Sequence, residues 1–405
     1  MKRRKLIAVF GVAISTAPLW PYARGIAHAH EDHGNSAKSK RAGLAISAAF
    51  APDGALWIVG LNEQGRLFVQ QSAEEGVRWN APRVLDTAQD AIAAEGENRP
   101  KLAFGPNGWA VISYTQPLSK PYTGEIRMLR STDAGANFSL PFTVHQDRQL
   151  ITHRFESIAF DSSGALHTFW IDKRDVEAAT RDGNKDAYAG AAVYHNVSLD
   201  GGRSFGPDSK LADHTCECCR IALSTDAGGG LAAMWRHVFE GDIRDHAFAR
   251  IAARGTSVDP VVRASFDDWK IDACPHHGPG LAPAASGGFH AVWFGVRNNE
   301  PAVRYARLEA DGKPRGDVRV IPDEGAEHAD VQSVGSSVAV VWRSFNGKQT
   351  RYTAWISHDE GKSFTQRELG ATDDESDNPV LVRKGEQIFA LWRTRKEVRV
   401  ERLFQ

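Results

Sequence analysis

Short apolar runs recur along most of the chain, separated by polar or Gly-containing turns. In several runs large apolar residues trade places with small or polar ones. Period two with β-branched content marks strands. The clearest runs, most of them ending in an aromatic, are ALWIVG (Ala55–Gly60), WAVISY (Trp109–Tyr114), LHTFW (Leu166–Trp170), LAAMW (Leu231–Trp235), FHAVWF (Phe289–Phe294), VAVVW (Val338–Trp342) and IFALW (Ile388–Trp392). The turns PDG (Pro52–Gly54), PNG (Pro106–Gly108) and SSG (Ser162–Gly164) precede the first three, and such residues reverse the chain. Equivalent runs recur about every fifty residues, the length of a propeller blade. Helical periodicity is absent, and Lys173–Gly190, rich in charge and Gly, reads as a loop inserted in the third repeat. The pattern predicts an all-β, seven-bladed β-propeller; a six-bladed ring with one repeat as an appendage is the alternative. The last repeat runs out after a third strand near Arg395–Leu403. Ser39–Leu44 is therefore expected to supply the missing outer strand, leaving no long open edge.

An octet, Ser-x-Asp-x-Gly-x-x-Phe, punctuates the repeats: STDAGANF at Ser131–Phe138, SLDGGRSF at Ser198–Phe205 and SHDEGKSF at Ser357–Phe364. A weakened copy, SAEEGVRW, occupies Ser72–Trp79 with Glu74 in the Asp place. The Asp accepts hydrogen bonds from the turn's own N–H groups, the Gly supplies a backbone angle other residues resist, and the aromatic packs under the sheet. The octet resembles the Asp box of sialidases and other BNR/Asp-box β-propellers, and the resemblance covers most of the chain. It implies a sialidase-superfamily ring in which these boxes are structural and face away from the active site. Known sialidases have six blades, where seven repeats are counted here. A sialidase of this fold clamps its substrate carboxylate with three arginines and uses a Tyr nucleophile with a Glu partner and an Asp acid/base. The first of those arginines belongs to a Phe/Tyr-Arg-Ile-Pro motif; the matching strand here, Gly43-Leu44-Ala45-Ile46-Ser47, has none. Catalytic residues therefore stay unassigned, with Tyr188, Tyr305 and Tyr352 candidate nucleophiles by residue type alone.

Strand order sorts the remaining chemistry. In a four-stranded meander the start of the first strand and the end of the second share one end of the blade, and the octet turns lie at the other. First-strand starts therefore converge on one mouth of the central channel, a natural ligand site. Residues delivered there include Asn98-Arg99, Arg154, Glu156, Asp172, Arg220, Arg236, Arg343, Arg393 and Asp377-Asn378. Of these, Arg154, Glu156, Asp172, Arg220, Arg236, Arg343 and Arg393 are the candidates for a small anionic or carbohydrate ligand. The alternative for the arginines is pairing with Glu156, Asp172 or Asp330 and stacking on the tryptophans.

All four cysteines fall at the same mouth, on the fourth and fifth repeats. Cys216, Cys218, Cys219 and Cys274 read first as two disulfides, with three pairings open. The sharper reading is a metal site, copper or zinc, completed by His276, His277, His153 and His328, with thiolate richness favouring copper.

The N-terminus carries Lys2, Arg3, Arg4 and Lys5, an apolar run from Leu6 to about Trp20, and a small-x-small site at Ala27-His28-Ala29. That is a secretory signal peptide over residues 1–29, followed by a His-containing segment, 30–42, and the propeller, 43–405. Cleavage after Ala29 makes His30 the first residue, with an amine and a ring nitrogen to offer a metal. The mature chain is expected to be exported, to a periplasm or beyond the cell, with no membrane span. Removing Lys2, Arg3, Arg4, Lys5 and Arg24 takes the formal charge from −1 to about −6 (−1 − 5), which gives no electrostatic case for nucleic acid. Phosphate loops and His-Glu-x-x-His pairs are absent. The function expected is binding of a metal or small anion at the mouth; the alternatives are an exo-sialidase-type glycoside hydrolase and a scaffold for envelope protein partners.

Overall fold

The computed structural model describes residues 41–94, 96–184, 188–273 and 275–404. The expected signal peptide, His30–His33 and Cys274 lie outside the described residues.

The strands build seven antiparallel sheets in which order in space follows order in sequence. Blades 1 to 7 run from Ser47 to Val84, Lys101 to Thr143, His153 to Thr215, Ala222 to Arg263, Gly280 to Val320, Ala326 to Thr372 and Val380 to Arg402. Six have four strands and the last has three. First strands touch one another in cyclic order, and Val380–Lys384 of blade 7 returns to Ser47–Phe50 of blade 1. The chain is thus a seven-bladed all-β propeller. Every run singled out by its alternation is a second strand, from Leu56–Leu61 in blade 1 to Gln387–Arg393 in blade 7. Among the described residues no helix is long and apolar enough to cross a membrane.

Packing explains the aromatic endings. Seven apolar clusters form, each shared by two neighbouring blades. One joins Ile58 and Phe68 of blade 1 to Phe389 and Leu391 of blade 7. Trp170, Trp235, Trp293 and Trp342 are all but fully buried in this way. Flat sheets cannot bury both faces alone, so each blade needs its neighbours.

The octets close their turns with one shared hydrogen bond. Ser131, Ser198, Ser357 and Ser72 each accept from the Gly N–H four residues on, at 2.8–2.9 Å. Asp133, Asp200 and Asp359 accept from the N–H two places past that glycine. Glu74 bonds Arg78 instead. The terminal Phe138, Phe205, Phe364 and Trp79 wedge into the seam with the preceding blade. The Gly is obligatory at the third octet: Gly361 has φ +77° and a Cβ there would lie 1.9 Å from the Tyr305 hydroxyl.

Two expectations are corrected. Residues 41–44 form no strand, so they do not complete blade 7. The ring closes through side chains: Asp377, ahead of blade 7, accepts from the Ile46 N–H at 2.9 Å and from both terminal nitrogens of Arg99 at 2.8 Å. The inserted segment, expected as loop throughout, contains a helix at Arg174–Arg181. Its first turn holds Asp175 and Glu177 and its last holds Arg181, the arrangement a helix dipole favours. Asp172 caps the start by accepting from the Arg174 N–H at 2.8 Å. Eight residues are too few to display a helical period.

Candidate metal centre

The connection from blade 3 to blade 4 carries the sulfur atoms. Its first residue is anchored by a bond from the Cys216 N–H to the Arg236 carbonyl at 3.0 Å, which extends the pairing of two adjoining blades. Five residues later the Ser157 hydroxyl donates to the Ile221 carbonyl at 2.6 Å. Between these ties the backbone turns and folds Cys216, Cys218 and Cys219 inward, all buried, among Phe155, Ile171, Ile221 and Trp235. Cys216 lies 3.7 Å from Cys218 and 3.9 Å from Cys219, sulfur to sulfur. A disulfide spans about 2.0 Å, so these pairs are not bonded to each other. All three sulfurs sit within 4.8 Å of one another. Burial, then a hydrogen bond with Cys216, pushes the Cys219 thiol well up, while the Arg236 charge pulls it back.

A second group gathers where blades 5 and 6 begin. His277, Glu327 and His328 bring one donor atom each within 4.8 Å of the others. The two imidazoles face each other with ring centroids 4.4 Å apart, and Phe294 stacks on His277 at 4.4 Å. Burial, then the neighbouring His328, holds His277 well below the ordinary imidazole value.

Glu97 organises both groups, and sequence reasoning passed it over. It sits in the loop ahead of blade 2, buried, and accepts from the Gly278 N–H at 2.7 Å and the Arg220 N–H at 3.0 Å. His328 Nδ1 lies 3.6 Å from its other oxygen. Against the cost of burial, Arg220 and His328 keep it ionised far below the usual carboxylate range. Its adjacency to Asn98-Arg99 at the same first-strand start was the available signal.

The arginines mostly brace the mouth. Arg236, buried, donates to the carbonyls of Arg244, His277 and Phe294 at 2.7–3.0 Å and stacks 5.1 Å over Trp269. Arg220 donates to the Pro279 and Ala329 carbonyls at 2.8 and 2.6 Å. Arg393 donates to the Leu61 carbonyl at 2.9 Å across the blade 7 to blade 1 seam. Arg343 pairs with Glu327 at 2.9 Å and keeps a quarter of its side chain exposed. The Arg154 guanidinium sits 5.2 Å over Phe155. The anions are engaged too. Asp172 accepts from Trp170 Nε1 at 2.8 Å and from Arg174 at 2.6 Å. Burial raises Glu156, which accepts from the Thr115 and Ser113 hydroxyls.

Of the sequence-predicted metal ligands, the structure gathers Cys216, Cys218 and Cys219 in one group and His277 and His328 in another. His153 joins neither: its Nδ1 bonds the Gly124 carbonyl at 3.0 Å and its Nε2 faces Asp147 at 3.3 Å, beneath His145. His276, at φ +54°, is only partly buried and falls in neither group. The candidate nucleophile tyrosines are bonded elsewhere, Tyr188 to Asp213, Tyr305 to His290 and Tyr352 to the Asp377 carbonyl.

No protein-family profile matches the chain, and no curated protein matches it. Solved structures do. A polysaccharide lyase, ulvan lyase, in its saccharide-bound form is 11% identical with a TM-score of 0.57, over 90% of this chain and 94% of that one. The α-L-arabinanase of Penicillium chrysogenum is 14% identical, TM-score 0.51, over 79% and 94%. A Hadza microbial sialidase is 12% identical, TM-score 0.50, over 84% and 73%. These three neighbours act on carbohydrates, and identities this low speak for the fold alone.

Proposed function

We propose that the protein binds a soft metal ion, monovalent copper, through Cys216, Cys218 and Cys219. The observation that supports this most is the sulfur triangle. Three thiolates around one ion at about 2.3 Å stand about 3.8–4.0 Å apart, against separations of 3.7 and 3.9 Å between the sulfurs here. Thiolate-rich, low-coordinate sets favour Cu(I) over harder ions. The apolar wall of Phe155, Ile221 and Trp235 excludes water that would raise the coordination number. Arg236 lies close enough to offset the negative charge three thiolates bring. Metal is favoured over a small anion because the guanidinium donors of Arg220, Arg236 and Arg393 go to protein carbonyls.

Competition between the protein and a chromophoric Cu(I) chelator tests the reading, alongside thiol titration. The expected result is one tightly held copper per chain, weakened at least a hundredfold in Cys218→Ser. Protein whose cysteines are all oxidised to disulfides and which takes no copper overturns it.

A glycoside hydrolase of sialidase type is the second reading, supported by the sialidase among the structural neighbours and by the partly exposed Arg343 at the mouth. Turnover of a fluorogenic sialoside, lost in Arg343→Ala, would establish it in place of the first.

A further inference from the structure

We infer that His277, His328 and Glu327 form a second metal site, separate from the sulfur triangle and suited to a divalent ion of the zinc or copper(II) class. The inference stands without the sulfur site, since it rests on different side chains.

Four observations carry it. First, the donors converge: one atom from each residue lies within 4.8 Å of the others. Two imidazoles and one carboxylate are a set that zinc and copper(II) accept, with a position left for water or ligand. Second, Nδ1 of His277 is buried with no hydrogen-bond partner among the described residues. Buried nitrogens are almost always satisfied, so an orphan on a ring facing His328 calls for an unseen partner. Third, the backbone is distorted to bring His328 there. The pairing register of blade 6 slips between Glu327 and Asp330, and His328 takes φ +50°. Bulges re-aim side chains and recur beside functional sites, and a non-glycine residue at that angle carries a cost the surroundings must offset. Fourth, a carboxylate stands behind the ring. A Glu97 oxygen lies 3.6 Å from His328 Nδ1. A carboxylate behind a histidine fixes its tautomer and leaves Nε2 to the ion.

The remaining geometry is consistent. Arg343 takes one oxygen of Glu327 and the other can serve the ion. Phe294 fixes the plane of His277. Bound donors stand about 3–4 Å apart around such ions, so the rings close slightly on binding. Arg220 joins the two sites: it follows Cys219 in the chain, and its guanidinium holds the Ala329 carbonyl beside His328.

The test is zinc calorimetry and cobalt(II) spectroscopy on metal-free protein. The triple variant Cys216→Ser/Cys218→Ser/Cys219→Ser is expected to retain one zinc site, which disappears when His328→Ala is added. Glu97→Gln, which removes the charge behind the His328 ring, weakens that site about 10–100-fold. Should the triple variant fail to fold, the unaltered protein decides with its thiols first filled by Cu(I): cobalt added afterwards is expected to show ligand-field bands, and those bands vanish in His328→Ala. Zinc stoichiometry, affinity and cobalt bands all unchanged in His328→Ala and His277→Ala would overturn the inference and leave the rings a stacked neutral pair. Cu(I) competition reads the sulfur triangle separately, so either site can fail without the other.

Discussion

At the scale of single residues, the octet aspartates set an acid limit on the fold. Asp133 is held down to about 2 by the Asn137 N–H, the Asn137 side chain and the Ser131 hydroxyl. Asp200 reaches about 2 although partial burial alone would raise it, because Ser204 donates through its hydroxyl and its N–H. Asp359 is lowered likewise by Ser363. A carboxylate depressed in the folded state contributes stability that is fully present above its unfolded value of 3.8 and is lost as pH falls through its folded value. The melting temperature is therefore expected to start falling below about pH 6.5, where histidines that burial holds neutral, such as His195 and His290, resist the proton the unfolded chain takes up, and to fall further between about pH 4 and 2 as these carboxylates protonate. Scanning calorimetry across that range checks it, and Asp133→Asn/Asp200→Asn/Asp359→Asn should flatten the acid limb.

At the scale of elements, the loop ahead of blade 5 does most to position the candidate site. A Cβ on Gly278 would lie 2.3 Å from Arg220 Cγ and 2.7 Å from a Glu97 oxygen. Gly278→Ala is expected to cost about 1–3 kcal/mol by overpacking, measurable as a shift in denaturant midpoint. Nothing in the amino-acid order announced that contact. Second strands were legible because alternation and a terminal aromatic persist over five or more residues. Outer strands of two residues, such as Arg83–Val84, Phe142–Thr143 and Val262–Arg263, leave no period to read. The mouth was legible from strand order, and so was the gathering of Cys216, Cys218 and Cys219 there. The division into a sulfur group and an imidazole group was not, because it depends on bulges and on Glu97, a lone acid with no motif spacing. Likewise Arg236 and Arg393 follow strand-ending tryptophans, but whether a guanidinium turns to the channel or to a neighbour's carbonyl is decided by tertiary packing.

At the scale of the whole molecule, a buried charge pair joins the apolar seam between blades 7 and 1 in shutting the ring. Arg99 and Asp377 retain only 7% and 3% side-chain exposure. Asp377→Ala strands a buried guanidinium and is expected to cost about 3–5 kcal/mol. Arg99→Met/Asp377→Leu, which removes both charges, should recover most of that loss; equilibrium denaturation of the three proteins decides. The latch also imposes a timetable. Asp377 lies 331 positions after Ile46 and 278 after Arg99. A growing polypeptide must therefore hold six finished blades as an open arc, its two raw ends waiting, until the closing carboxylate is synthesised.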